Sequence, residues 1–65
     1  MELDRAQILL QLQLLKPGEK IRFGKVLIVH NRTRCTYTII LDGYYIEETI
    51  DLEVTVNWII DLDRD

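Results

Sequence analysis

The dipeptide Asp42-Gly43 stands between two runs rich in β-forming residues, RCTYTIIL before it and YYIEE after it. A two-residue type I′ hairpin turn needs positive φ at both central positions, and Asp-Gly is among the few pairs that accept it. The turn predicts an antiparallel hairpin and sets its register: Leu41 opposite Tyr44, Ile40 opposite Tyr45, Ile39 opposite Ile46, Thr38 opposite Glu47. Cys35, Tyr37, Ile39 and Leu41 then share one face with Tyr44 and Ile46.

The segment before it, EKIRFGKVLIVH, predicts one more strand over Lys20–His30. Ile21 and Phe23 alternate with Arg22, and the apolar phase shifts after Gly24 to Val26 and Ile28. A β-bulge at Gly24 would keep all four on one face. HNRT at His30–Thr33 is the connecting turn. With Asn31-Arg32 as a two-residue loop, Ile28 pairs with Cys35 and Val26 with Tyr37. The expected core face is Ile21, Phe23, Val26, Ile28, Cys35, Tyr37, Ile39, Leu41, Tyr44 and Ile46.

Two flanking segments must cover that face. Leu3–Leu15 is made of good helix formers and ends at Lys16-Pro17-Gly18, which stops a helix. Its apolar residues form two faces: Leu3, Ala6, Leu10 and Leu14 on one, Ile8, Leu12 and Leu15 with Leu9 on the other. Ile50–Leu62 reads as a helix with Asp51 as N-cap and Glu53 in the positive first turn. The same segment alternates Ile50, Leu52, Val54, Val56, Trp58, Ile60 and Leu62, so a fourth strand is the alternative. The helical reading is preferred because one helix leaves a three-stranded sheet partly bare. The expected fold class is α+β in a single small domain, residues 1–65: an N-terminal helix, a three-stranded antiparallel meander and a C-terminal helix. Double-stranded-RNA-binding domains share this element order. Their second helix begins with phosphate-gripping lysines, where this chain has Asp51 and Glu53, so no family is assigned.

A chain of 65 residues buries too little surface to be robust alone, and disulfides, metals or oligomerisation are the usual remedies. Cys35 is the single cysteine and His30 the single histidine, so an intrachain disulfide is impossible and no metal or cofactor is expected. Oligomerisation is the remedy left. One cysteine fits a reducing cytoplasm. No apolar run approaches the roughly 20 residues of a membrane span, and Glu2 and Asp4 stand where a secretory signal would be basic.

Catalysis has little to rest on. His30 belongs to a turn, Cys35 to the expected core face, and adjacent Glu47 and Glu48 point to opposite faces. The apolar residues left over are more telling. Leu27, Val29, Ile40 and Tyr45 fall on the outer sheet face, and Val54 and Trp58 on the second face of the last helix. These six are the candidate interface.

Charge is unevenly spread around them. Lys16–Arg34 holds six bases (Lys16, Lys20, Arg22, Lys25, Arg32, Arg34) against Glu19, whereas Asp42–Asp65 holds eight acids against Arg64. Arg22, Lys25, Arg32 and Arg34 are the candidate charged contacts, with Lys25 and Arg34 on the outer face and Arg32 at the turn tip. The function expected is a cytoplasmic, non-enzymatic protein-interaction module. It would associate with itself as a dimer or larger assembly and modulate or inhibit a larger protein, as accessory proteins of phage and mobile elements do. The alternatives are nucleic-acid binding through Lys16–Arg34, which the acidic half disfavours, and a purely structural subunit.

Overall fold

The computed structural model describes residues 4–63. Leu3 of the expected N-terminal helix, and Arg64 and Asp65, lie outside them. The element order is α1 (Arg5–Leu14), β1 (Lys20–Phe23), β2 (Val26–His30), β3 (Tyr37–Leu41), β4 (Tyr44–Thr49) and α2 (Leu52–Asp63). The class is α+β as expected, but the sheet has four strands, in the order β1-β2-β3-β4, every neighbour antiparallel. The added strand also separates the chain from the α-β-β-β-α order. The last segment is helical, which overturns the fourth-strand reading of Ile50–Leu62.

The extra strand comes from Gly24. The segment Lys20–His30 is not one bulged strand but a hairpin, in which Phe23 pairs with Val26 and Ile21 with Ile28. Gly24 has φ +61 and Lys25 follows at negative φ, the pattern of a type II′ turn with Gly first. A bulge and a two-residue turn leave the same residues on the same side, so Ile21, Phe23, Val26 and Ile28 still face inward.

The second connection also differs. Asn31–Thr36 forms a six-residue loop rather than a two-residue turn, and Ile28 pairs with Ile39 and Val26 with Leu41. The shift from the expected partners is four residues. Because side chains alternate with period two, an even shift leaves the faces unchanged. Cys35 does change place: it lies exposed in the loop at φ +57, not in the core. Arg34 likewise sits in the loop and not on a strand.

The third connection is the expected one. Asp42 and Gly43 have φ +50 and +85, as a type I′ turn requires, and Leu41 pairs with Tyr44 and Ile40 with Tyr45. Beyond that a bulge enters β4. Ile39 faces Glu47 rather than Ile46, and Thr38 faces Glu48 rather than Glu47. The bulge exchanges the two glutamates, so Glu47 points toward the helices and Glu48 outward. Tyr44, expected in the core, is 75% exposed beside the turn.

Both helices lie against the inner face. Ile8 and Leu12 of α1 and Val56 and Ile59 of α2 join Phe23, Val26, Ile28, Tyr37 and Ile39 in one buried cluster. Asp51 caps α2, its Oδ1 accepting from the Glu53 backbone N–H at 2.8 Å. Thr55 is the buried polar residue that alternation did not reveal, and its hydroxyl donates to the Asp51 carbonyl at 3.0 Å. Asp4 caps α1 in the same way, accepting from Ala6 at 3.0 Å. The second apolar face of α1 stays bare, with Leu14 70% exposed.

The turn Lys16–Glu19 ties α1 to the sheet. Gly18, at φ +90 after Pro17, donates its N–H to the His30 carbonyl at 2.8 Å, and the His30 N–H donates to the Glu19 carbonyl at 2.9 Å. The His30 ring is half-buried rather than on an open turn. It stacks on Tyr37 with centroids 4.5 Å apart, and its Nδ1–H donates to the Leu15 carbonyl at 2.9 Å.

Two glycines give a paired test. A Cβ at Gly24 would lie 2.6 Å from Asp63 Oδ1, whereas one at Gly43 meets nothing within 4 Å. Both need positive φ, so valine at either should cost on the order of 1 kcal/mol or more through the backbone alone. Urea unfolding should show Gly24→Val as the more damaging of the two. Adding Asp63→Ala should recover part of the Gly24→Val loss and none of the Gly43→Val loss. Equal costs with no recovery would contradict the packing of α2 over the first turn.

Candidate interaction surfaces

The outer sheet face is built from two cross-strand rows. One row runs Arg22, Leu27, Ile40, Tyr45, and the other Lys20, Val29, Thr38, Glu48. Neither helix covers it. Leu27, Val29 and Ile40 are screened only by their neighbours in the sheet, and Tyr45 is 64% exposed. Four of the six candidate interface residues therefore meet on this face, as the alternation implied. The two residues at the β1 end of the rows are cations. No ion pair to Lys20 or Arg22 occurs among the described residues.

The opposite edge is polar and internally bonded. Thr36 Oγ1–H donates to Glu48 at 2.6 Å, and one Arg34 guanidinium nitrogen reaches both Glu48 oxygens at 3.0 and 3.3 Å. Asn31 Nδ2–H donates to Thr36 Oγ1 at 2.9 Å and to Thr38 Oγ1 at 2.7 Å. These bonds hold the loop Asn31–Thr36 against the outer face. Glu48 matters here because the bulge turned it outward. Its carboxyl is held below the usual carboxylate range, first by the Thr36 hydroxyl bond and then by Arg34, with desolvation opposing them.

Val54 and Trp58 are elsewhere. With Asn57 and Asp61 they line a shallow groove of about 120 Å³ along α2. Trp58 Nε1–H donates to Glu47 Oε2 at 3.1 Å, which fixes the indole against β4. Arg5 of α1 donates to Asn57 Oδ1 at 2.7 Å and pairs with Glu53. The candidate interface thus divides into two surfaces on opposite sides of the sheet. Asn57 and Asp61 were not singled out from sequence, although their i, i+3, i+4, i+7 spacing with Val54 and Trp58 on a helix would place them together.

The candidate charged contacts also scatter. Arg22 is on the outer face, but Lys25 lies in the β1–β2 turn rather than on that face. Arg32 is exposed in the loop at the other end of β2, and Arg34 is engaged by Glu48. Among the described residues no group of three His, Cys, Asp or Glu side chains could hold a metal ion, and no helix is long and apolar enough to cross a membrane. No family model, curated protein or solved structure matches the chain.

The Glu48 network makes a pH test. A carboxyl with a depressed folded pKa contributes stability above its unfolded value, and that contribution is lost as pH falls through the folded value. NMR shifts of Thr36 and Thr38 should therefore stay constant down through the ordinary glutamate range and move only below it, together with Glu48. In Glu48→Gln that acid transition of the two threonines should be absent.

Proposed function

We propose that this chain is a non-enzymatic protein-interaction module of the cytoplasm. It associates with itself through the outer sheet face and presents its other side to a larger protein whose activity it modulates. The observation that carries the reading is the bare outer face: Leu27, Val29, Ile40 and Tyr45 side by side, in a chain whose helices are all spent on the inner face. Contiguous apolar side chains with a polar rim are what an interface needs, and scattered exposed ones would not be. The α2 groove is the surface assigned to the larger partner. Its acidic surroundings, Asp61 in the groove and Glu47 beside Trp58, favour a basic segment with an apolar anchor.

Nucleic-acid binding is the weaker reading. Lys25 and Arg32 lie beyond opposite ends of β2, whose five residues alone span about 17 Å at the usual strand rise, and Arg34 already has a carboxylate partner. A phosphate track needs free cations in sequence along one path.

Light scattering at concentrations well above micromolar should approach at least twice the 7.7 kDa of one chain. Val29→Asp or Ile40→Asp should shift it toward monomer. A monomer that stays folded would defeat self-association. Replacing Arg32 and Arg34 together with Ala should leave DNA and RNA binding immeasurable at physiological salt. Salt-sensitive micromolar binding by the parent, abolished in that variant, would put nucleic acid first. Capture of a larger protein from the native host should be lost with Trp58→Ala and survive Val29→Asp, if the two surfaces have separate tasks.

A further inference from the structure

We propose that the outer face is covered by a second copy of this chain, related by a two-fold axis parallel to the strands. The proposal rests on the self-association read above and names its geometry. A two-fold dimer presents the same patch twice, so residues must complement their own face. Sheets packed face to face keep their strands within about 30° and sit roughly 10 Å apart. An axis parallel to the strands lays β1 of one copy over β4 of the other. An axis across the strands lays β1 over β1.

The two rows decide between them. They run from cation to acid or aromatic: Lys20, Val29, Thr38, Glu48, and Arg22, Leu27, Ile40, Tyr45. With the axis parallel to the strands, each row meets itself reversed. Lys20 faces Glu48 of the second copy, Val29 faces Thr38, Leu27 faces Ile40, and Arg22 faces the ring of Tyr45. Each contact occurs twice. Lys–Glu is an ion pair at the rim, and a guanidinium over a tyrosine face is attractive. With the axis across the strands, Lys20 and Arg22 meet the same two cations of the other copy, and like charges directly opposed are destabilising. Lys20 and Arg22 have no ion-pair partner within the chain among the described residues, so they are available for this contact.

The footprint sets the strength. Four strands of about five residues span roughly 20 by 17 Å. That is about 700 Å² counted on both copies, below the roughly 1,200 Å² at which standard specific interfaces begin, so the dimer is a weak one, micromolar at its tightest.

The decisive variant is Lys20→Glu, read by sedimentation equilibrium, with circular dichroism to show that the exposed substitution leaves the fold intact. With the proposed axis it removes two attractive contacts and creates two repulsive ones, so the dissociation constant should rise about tenfold. In a Glu48→Gln background, which keeps an acceptor for Thr36 and Arg34, the same Lys20→Glu change should weaken the dimer much less, because the facing charge is gone. With the other axis Lys20→Glu would relieve cation repulsion and tighten the dimer, so tightening or no change overturns the proposal while leaving self-association intact.

A second readout does not depend on charge. In a Cys35→Ser background, Lys20→Cys and Glu48→Cys lie three strand spacings apart within a chain, about 14 Å, too far for a disulfide. Facing positions on sheets about 10 Å apart are also beyond disulfide range, so the link is made with a short bis-maleimide that cannot span the intrachain distance: it should give covalent dimer from the double variant, and from neither single variant. Covalent dimer from Lys20→Cys alone would indicate the crossed axis. A parent protein that sediments as monomer at concentrations well above micromolar overturns both the geometry and the self-association it rests on.

Discussion

Everything in this fold is organised around the pairing of Ile28 with Ile39, two fully buried residues at the middle of the two central strands. Val56 and Ile59 of α2 and Ile8 and Leu12 of α1 join them in the buried cluster. A chain this short has room for one such layer, so each fully buried aliphatic side chain, worth about 1.5–3 kcal/mol, is a large part of its stability. The helices are both drawn to the same side of the sheet by this pair and its neighbours. That leaves the other side with no element among the described residues to cover it.

The faces of the sheet were legible in the residues, whereas the connections between strands were not. Alternation assigns side chains by parity, and parity survives mistakes that move a strand by an even number of residues. Ile28 was expected opposite Cys35 and is found opposite Ile39, yet Leu27, Val29 and Ile40 still point outward. Gly24 was read as a bulge and is a turn, with the same outcome for Ile21 and Phe23. The misreadings that mattered were those of odd step. The bulge between Tyr45 and Glu47 reverses the two glutamates, and its only trace is an isoleucine where either register would accept one. Cys35 was placed inside because it continues an alternating run, but positive φ at that residue takes it out of the strand. Asp42-Gly43 needed no tertiary information, because its constraint is local.

The charge pattern is likewise organised by the fold rather than by position in the chain. The basic stretch of the sequence is spread over a turn, a sheet edge and a loop, so it makes no single basic patch. What matters on the outer face is a gradient across the sheet, from Lys20 and Arg22 on β1 to Glu48 and Tyr45 on β4. A gradient of that kind gives a flat apolar surface a direction. In the proposed dimer it tells two copies how to turn relative to one another, which apolar contact alone leaves loose.

The seating of α1 against α2 links the beginning of the described chain to its end. Arg5 bonds to Asn57 and pairs with Glu53, and the inner face of the sheet lies beneath both helices. Neighbouring strands are all joined by short connections, and hairpins form within about 1–10 µs. α2 is the last element in chain order, so a meander that pairs first must wait for it. Until α2 docks, Arg5 of α1 lacks its Asn57 and Glu53 partners and the inner face is only partly roofed. The twelve residues of α2 are therefore what closes the core: before they dock, Ile28 and Ile39 lie open to any apolar segment that meets them, one from another molecule included.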